Sequence, residues 1–442
     1  MKITPSKLGA AACLTGLMVA ATAQADILEA NMVSLRVQLR GQMLAEATDY
    51  GSGNDRLDDR TDLRFARFRL TVTGMFDENY GFQINTQSTL GTTKGGITGY
   101  SLSAADTDNN DGNIRLHDAY FIANYTEWLN FKIGLTKLPV TRGNLDGCFD
   151  PLGIDRSMWS FSGYGTTPLK ASRDMGVSAW GKLLDGKSVY QVGVFQGREG
   201  FARTTNPFSG ATVNSSQTPS ENFLYTGRIH YSLWDPEASS GYEGSYLGDF
   251  KILTFGIGGA YEAAAVYKNV TSAGAVTNSE TVDYTYFTAD VLFEYPTPMG
   301  TYSLTSAYIK SDFDDVHYTN LNPGDRLTNY GGVNGQREGW YVRGGYLLPQ
   351  TFGKEGRLQP YAYYEKFDVA ALAGVTDQTV TQKGFGVNWY IHGQNVRVTL
   401  EYLRNEFAKP TGMVGGLVNA SNQPIDLYTQ NTNVRGMFQV AF

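Results

Sequence analysis

From Leu35 to its last residue the chain alternates apolar and polar side chains with a period of two. Leu35, Val37, Leu39, Gly41 and Met43 alternate with Arg36, Gln38, Arg40 and Gln42. Phe68, Leu70 and Val72 alternate with Arg67, Arg69, Thr71 and Thr73, and Asp77-Glu78-Asn79 then makes a tight turn. Phe82, Ile84 and Thr86 return against Gln83, Asn85 and Gln87. Successive strand residues point to opposite faces, so each of these segments has one oily and one wet side. Met175, Val177 and Ala179 oppose Ser178, Trp180 and Lys182, an Asp185-Gly186 hairpin turn follows, and Tyr190, Val192 and Val194 return. Phe223, Tyr225 and Ile229 oppose Thr226, Arg228 and His230.

Further strands are predicted over 114–125, 130–139, 250–266, 281–295, 301–312, 337–348, 357–368, 382–391, 395–407 and 431–442. The total is about 16, an even number as a barrel with both ends on one side requires. Short connections (77–80, 126–129, 185–187, 296–300, 392–395) alternate with long ones (91–112, 140–172, 199–220, 268–280, 313–336, 408–430). Short periplasmic turns opposite long external loops are the build of an outer-membrane barrel. The last strand puts Val434, Phe438, Val440 and Phe442 on one face and stops on an aromatic. An apolar final strand suits closure against the first. A soluble β-sandwich also alternates, but it explains neither this ending nor the alternation of loop lengths. Strand 114–125 carries aromatics on both faces, so its inward set stays open.

Hydropathy agrees. The mean is −0.29, and no apolar run after residue 25 is long enough for a membrane helix. A barrel strand shows only half its side chains to lipid, so it escapes that test. Tyr 28, Phe 23 and Trp 6 supply the aromatic girdles of both interfaces. At the N-terminus, Lys2 and Lys7 precede an apolar run from Leu8 to Ala21 and the small-x-small site Ala23-Gln24-Ala25. Residues 1–25 read as a cleaved signal peptide and 26–442 as one barrel domain, destined for the outer membrane of a Gram-negative cell. Lys2 and Lys7 leave with the leader, so the mature chain carries 34 basic against 43 acidic residues, a balance of −9. That excess of acid argues against a nucleic-acid partner. Cys148 is then the only cysteine and reads as a loop thiol, open at most to oxidative coupling between protomers.

Several stretches resemble the phosphate-selective porin O and P family. They are Arg64-Phe65-Ala66-Arg67-Phe68-Arg69-Leu70 with its turn and return, and Leu116-His117-Asp118-Ala119-Tyr120 followed by Phe131-Lys132-Ile133-Gly134 and Lys137-Leu138-Pro139-Val140. Others are Arg173-Asp174-Met175-Gly176-Val177 through Gly193-Val194-Phe195-Gln196-Gly197, then Gly386-Val387-Asn388-Trp389-Tyr390-Ile391 and Leu400-Glu401-Tyr402. The resemblance implies a sixteen-stranded, homotrimeric, water-filled channel with a long loop folded inward after the fifth strand. Here that loop is 140–172, with Arg142, Asp146, Asp150, Asp155, Arg156 and Lys170, and Arg173 just beyond it. The resemblance also implies anion preference. The family's phosphate-selective members carry close-spaced arginines on alternating positions, whereas strand 221–232 offers only Arg228.

By alternation, the inward basic candidates are Arg36, Arg40, Arg67, Arg69, Lys132, Lys182, Arg228, Arg343 and Arg397. Paired strands lie about 4.8 Å apart, so Arg36, Arg40, Arg67 and Arg69 can share one basic wall. Guanidinium forks bind oxyanions and keep their charge at any working pH. The same arginines can instead pair with Glu46, Asp290, Glu294, Glu365 and Glu401 and leave little field. Trp159, Phe161 and Tyr164 are the only aromatic candidates for a sugar track. Nucleophile elbow, phosphate loop, zinc spacing and haem motif are all missing, so neither an enzyme nor a cofactor is expected. The expected function is passive diffusion of small polar solutes, with oxyanion selectivity as one form of it. The alternative is a barrel serving as receptor, adhesin or sleeve for a partner protein.

Overall fold

The computed structural model describes residues 34–49, 59–90, 114–157, 173–197, 204–205, 212–213, 222–237, 242–271, 279–312, 317–319, 337–354, 356–372, 375–412 and 427–442. The expected leader and Lys170, Trp159, Phe161 and Tyr164 lie outside them. One sheet of seventeen members holds sixteen long strands and a two-residue strand at Thr351–Phe352. The long strands are β1 (Ser34–Asp49), β2 (Asp59–Met75), β3 (Tyr80–Leu90), β4 (Arg115–Asn124), β5 (Asn130–Lys137), β6 (Arg173–Leu183), β7 (Ser188–Phe195) and β8 (Leu224–Ser232). The second half is β9 (Ile252–Tyr267), β10 (Thr281–Thr297), β11 (Gly300–Asp312), β12 (Arg337–Leu347), β13 (Gly356–Leu372), β14 (Val375–His392), β15 (Val396–Gly412) and β16 (Leu427–Ala441).

Each strand pairs antiparallel with the next, and β1 pairs with β16 from Arg40↔Ala441 to Asp49↔Thr432. Phe442 N donates to Leu39 O at 2.9 Å and Leu39 N to Phe442 O at 3.2 Å, so the ring closes on the final residue. A closed sheet has no edge for another chain to pair with. The sixteen-stranded closed barrel expected from alternation is the fold observed.

The outer face is the apolar one. Val37, Leu70, Ile84, Phe121, Val177, Tyr225, Phe255, Ile257, Phe385 and Leu400 are all exposed. Aromatics gather at the short-turn end: Tyr80 against Tyr125, Trp234 against Phe293 and Tyr295, Tyr302 against Tyr346, and Phe352 against Trp389. Their rings suit the boundary between hydrocarbon and water. In β4 Phe121 points outward, while Tyr120 shares the buried side with Asp118, which resolves the strand that the pattern left open.

Tight turns have visible causes. Asp77 accepts from the backbone N–H of Asn79 (2.8 Å) and Tyr80 (2.6 Å), closing the first hairpin. Asp185 and Gly186 both have positive φ, and Lys187 N donates to Leu184 O at 3.1 Å, the primed turn expected there. The alternation of loop lengths is less regular than the sequence suggests. Residues 233–251 connect β8 to β9 at the short-turn end, and residues 348–355 connect β12 to β13 there; only 373–374 separate β13 from β14 at the other.

The inner face is not uniformly wet. Tyr284, Tyr286, Ile309, Tyr341 and Phe367 form an apolar cluster with Leu138 and Val140. The last two begin the segment after β5, so the cluster is a seat for chain folded inside the barrel. Gly256 and Gly258 make room on β9: a Cβ at Gly258 would collide with the Val140 carbonyl, and one at Gly256 with Arg228 and Asp290.

Candidate functional site: the barrel interior

The β1–β2 pair brings the first arginines together. Arg40 lies directly opposite Arg69, and Gln42 opposite Arg67. The register shifts after Gln42, a bulge that lets Ala66 and Arg67 both face inward. Arg36, opposite Thr73 nearer the short-turn end, is exposed. Arg67 donates to Gln42 Oε1 (2.8 Å) and to Asp155 (2.7 Å). Arg69 donates to Gln87 Oε1 (2.6 Å) and lies 3.0 Å from His117 Nε2 and 3.3 Å from Cys148 Sγ. Arg40 sits 3.6 Å from Asp150, and both Arg40 and Arg69 stand over the Phe149 ring at 5.6 and 5.5 Å.

Asp150, Phe149 and Asp155 belong to the segment after β5, of which residues 138–157 are described. Thr141 caps its single helical turn, α1 (Arg142–Leu145), by accepting from Asn144 N at 2.9 Å. The carbonyls at its far end receive cations: Arg156 Nη1 donates to Gly143, Asn144 and Asp146 O, and Lys137 Nζ to Leu145 and Asp146 O. The wall holds the rest by backbone. Arg397 donates to Pro151 O (2.9 Å), Asn388 to Leu152 O (2.6 Å) and Arg343 to Asp155 O, while Glu401 accepts from Ile154 N (3.4 Å). Strands as far apart around the ring as β2 and β12 thus grip one segment, which places it inside the barrel.

A second segment enters from the opposite end, and sequence reasoning missed it. Residues 242–250 of the β8–β9 connection meet the first segment in a short parallel bridge between Tyr242 and Asp146. Gly147 N donates to Tyr242 O (3.1 Å) and Gly244 N to Asp150 O (3.0 Å). Arg142 pairs with Glu237 and stands over the Tyr242 ring at 4.7 Å. Tyr242 Oη also contacts Arg228 Nε (3.2 Å) and His230 Nδ1 (2.6 Å). Glu294 on β10 accepts from Ser245 Oγ, Tyr246 N and Gly248 N, fixing the return. The only available signal was the stretch left unassigned between the strands expected over 221–232 and 250–266.

Burial pushes the Asp146 carboxyl up to about 8 and that of Glu243 up to about 7, with Asp150 adding like-charge repulsion to both. Burial also raises the Tyr242 and Tyr246 hydroxyls.

Most interior arginines carry a carboxylate. Arg228 forks onto Asp290 (2.5 and 2.8 Å), Arg343 onto Glu365, Arg435 onto Glu401 and Asp155, and Arg173 onto Asp118 (2.9 Å). Arg64 meets Glu46 at 3.3 Å. Arg435, Glu237, Asp118 and Tyr242 were not among the residues singled out from sequence. Lys182 is exposed near the short-turn end, and Lys132 lies on the inner face of β5.

The inner segments bind mainly β1, β2 and β8 to β16, and reach β5 through Lys137, which leaves most of the β3–β7 side. A cavity of about 210 Å³ remains there, lined by Gln83, Asp118, Tyr120, Lys132, Thr136 and Gln191 among others. The interior therefore holds an off-centre polar cavity beside a folded partition. The family model of phosphate-selective porin O and P matches residues 37–427. The chain belongs to the phosphate-selective porin O and P family.

This porin is also similar to solved structures. An anion-selective porin from Comamonas acidovorans is 11% identical, with a TM-score of 0.49 and coverage of 92% of this chain and 99% of that one. The trimer form of OmpT from Vibrio cholerae is 13% identical, with a TM-score of 0.46 over 92% and 99%. A BenF-like porin from Pseudomonas fluorescens Pf-5 is 13% identical, with a TM-score of 0.45 over 93% and 99%. No curated protein sequence matches the chain. Cys148 is buried inside the porin with its thiol 3.3 Å from Arg69, so the expectation of a loop thiol open to oxidative coupling is corrected to a shielded interior thiol. The chain is an outer-membrane porin, a channel for small polar solutes.

Proposed function

We propose that this porin conducts small polar solutes passively along the β3–β7 side, with weak charge selectivity, as a non-enzymatic homotrimer exported by cleavage after Ala25. The observation that carries the reading is charge compensation. Arg67, Arg142, Arg173, Arg228, Arg343 and Arg435 each meet a carboxylate, so the arginines supply little net field to a passing ion. On this reading the inward segment from 140 onward, with Arg142, Asp146, Asp150, Asp155 and Arg156, is the constriction, held shut on its own side.

One observation favours a second reading. Arg40 and Arg69 face each other, and among the described residues the bond partners of Arg69 are neutral. With Arg36 and Arg67 nearby, and only Asp150 and Asp155 opposing them among the described residues, an oxyanion in this corner would meet several cations.

Planar-bilayer conductance in a KCl gradient separates the two. Near-zero reversal potential, with chloride current indifferent to phosphate, is expected. A strongly anionic reversal potential with phosphate block that Arg40→Gln abolishes would establish the arginine wall instead. Mass measurement of the detergent-extracted protein checks the trimer, and N-terminal sequencing of the mature chain checks the cleavage.

A further inference from the structure

The cavity beside the partition holds one ammonium that makes no salt bridge among the described residues. Its lining contains three charged side chains: Asp118, Lys132 and Lys137. Asp118 is taken by Arg173 and by Asn85 Nδ2 (2.9 Å). Lys137 gives its ammonium to the carbonyls of Leu145 (3.1 Å) and Asp146 (2.9 Å). Lys132 has no carboxylate partner among the described residues. Its Nζ lies 5.7 Å from the Tyr120 ring and 5.9 Å from the Trp180 ring, the faces of two neighbouring strands.

A second observation points the same way. Gln191 lines the cavity and is 6% exposed, yet its buried Nε2 has no hydrogen-bond partner among the described residues. A buried amide N–H left unmade is costly, so a native structure seldom keeps one without a use. Ser178 lines the same cavity, paired with Lys132 across the β5–β6 ladder. One ammonium, one hydroxyl and one carboxamide whose N–H is buried without a partner among the described residues therefore share a pocket faced by the Tyr120 ring.

We propose that this cavity is a solute-binding site of the porin for small monocarboxylates with an apolar body, with Lys132 and Gln191 holding the carboxylate. The proposal rests on the channel reading above and names its solute class. One uncommitted positive charge matches one negative charge. Inorganic phosphate near neutrality carries up to two, and its tetrahedral oxygens ask for several cationic donors. Tyr120 in the lining offers flat apolar surface, which a carbon skeleton uses and phosphate does not. The site differs from the Arg40–Arg69 corner in both its charge and its strands.

The test is block of single-channel chloride current in planar bilayers, using butyrate, acetate and inorganic phosphate as probes on the intact porin. Butyrate should block at lower concentration than acetate, and phosphate should block least. Lys132→Gln should weaken the butyrate block about tenfold, the loss of one hydrogen bond to a charged group. Lys132→Arg should restore most of it, and Gln191→Ala should give a smaller loss. Lys354→Gln, in an exposed turn, serves as the control for surface charge. Heat-modifiable mobility on gels verifies that each variant is a folded barrel. Block by phosphate stronger than by butyrate, or butyrate block unchanged in folded Lys132→Gln, would overturn the site while leaving the channel intact. Absence of any conductance in the wild type would refute the channel and the site together.

Discussion

Arg228 and Asp290 show what a charge requires in this interior. Both side chains are almost wholly shielded from water, and the fork between them is completed by Tyr242 from the second inner segment. Removing one partner strands the other. Arg228→Met should therefore destabilise the barrel by about 3–5 kcal/mol in urea unfolding from detergent, while Arg228→Met with Asp290→Leu should recover most of the loss. A double variant as unstable as the single one would show that the Tyr242 contact, not the ion pair, dominates. At this scale the sequence was informative about side and silent about partner. Alternation put Arg67, Arg69 and Arg228 on the inner face because period-two geometry is local. That Arg67 meets Asp155, 88 residues away, depends on where a loop folds, and no local pattern carries that.

Elements inside the barrel follow a different logic from those in its wall. The wall strands announce themselves through lipid on one side. The inner segments have neither a period nor a lipid face, so their sequence reads as ordinary loop. The stretch 233–251 is the clear case, because Tyr242, Ser245 and Tyr246 become buried only when they meet Asp146 and Glu294. The seam between the two segments should respond to pH. Asp146 and Glu243 keep their protons longer in the folded porin than in the unfolded chain, where carboxyls titrate near ~4. Folding therefore holds extra protons between that value and about 7 to 8, and the seam loses stability as pH rises through this window. Hydrogen exchange at the amides of Gly147 and Gly244 should accelerate beyond its intrinsic base dependence between pH 5 and pH 9, in steps set by roughly one proton each. Asp146→Asn should flatten that response. Crowding gives a second handle. Gly258→Leu would force the Val140 carbonyl away from β9 and towards the β3–β7 side, so its channels should be narrower and noisier than those of the wild type. Unchanged conductance would mean that the first segment does not limit flow.

For the molecule as a whole, closure is the property that the sequence displayed best. The final aromatic strand, the even strand number and the outer apolar face were all legible, since each follows from burying one side of a sheet in lipid without leaving an edge. Phe442 is the most exposed large apolar side chain at the seal, while its backbone makes both terminal bonds to Leu39. Deleting it should lower the yield of heat-modifiable barrel in outer membranes several-fold, and Phe442→Tyr should be tolerated; equal yields would separate closure from the terminal ring.

The partition also ties the contents of the barrel to its closure. Its two halves come from either end of the cylinder and from distant parts of the chain, yet they are stitched to each other and to β16 through Asp155 and Arg435. The contacts to the last strand form only once that strand is in place. Arg435 acts as the clasp, so the seal of the ring and the packing inside it are coupled, as hoop and contents are in a filled cask.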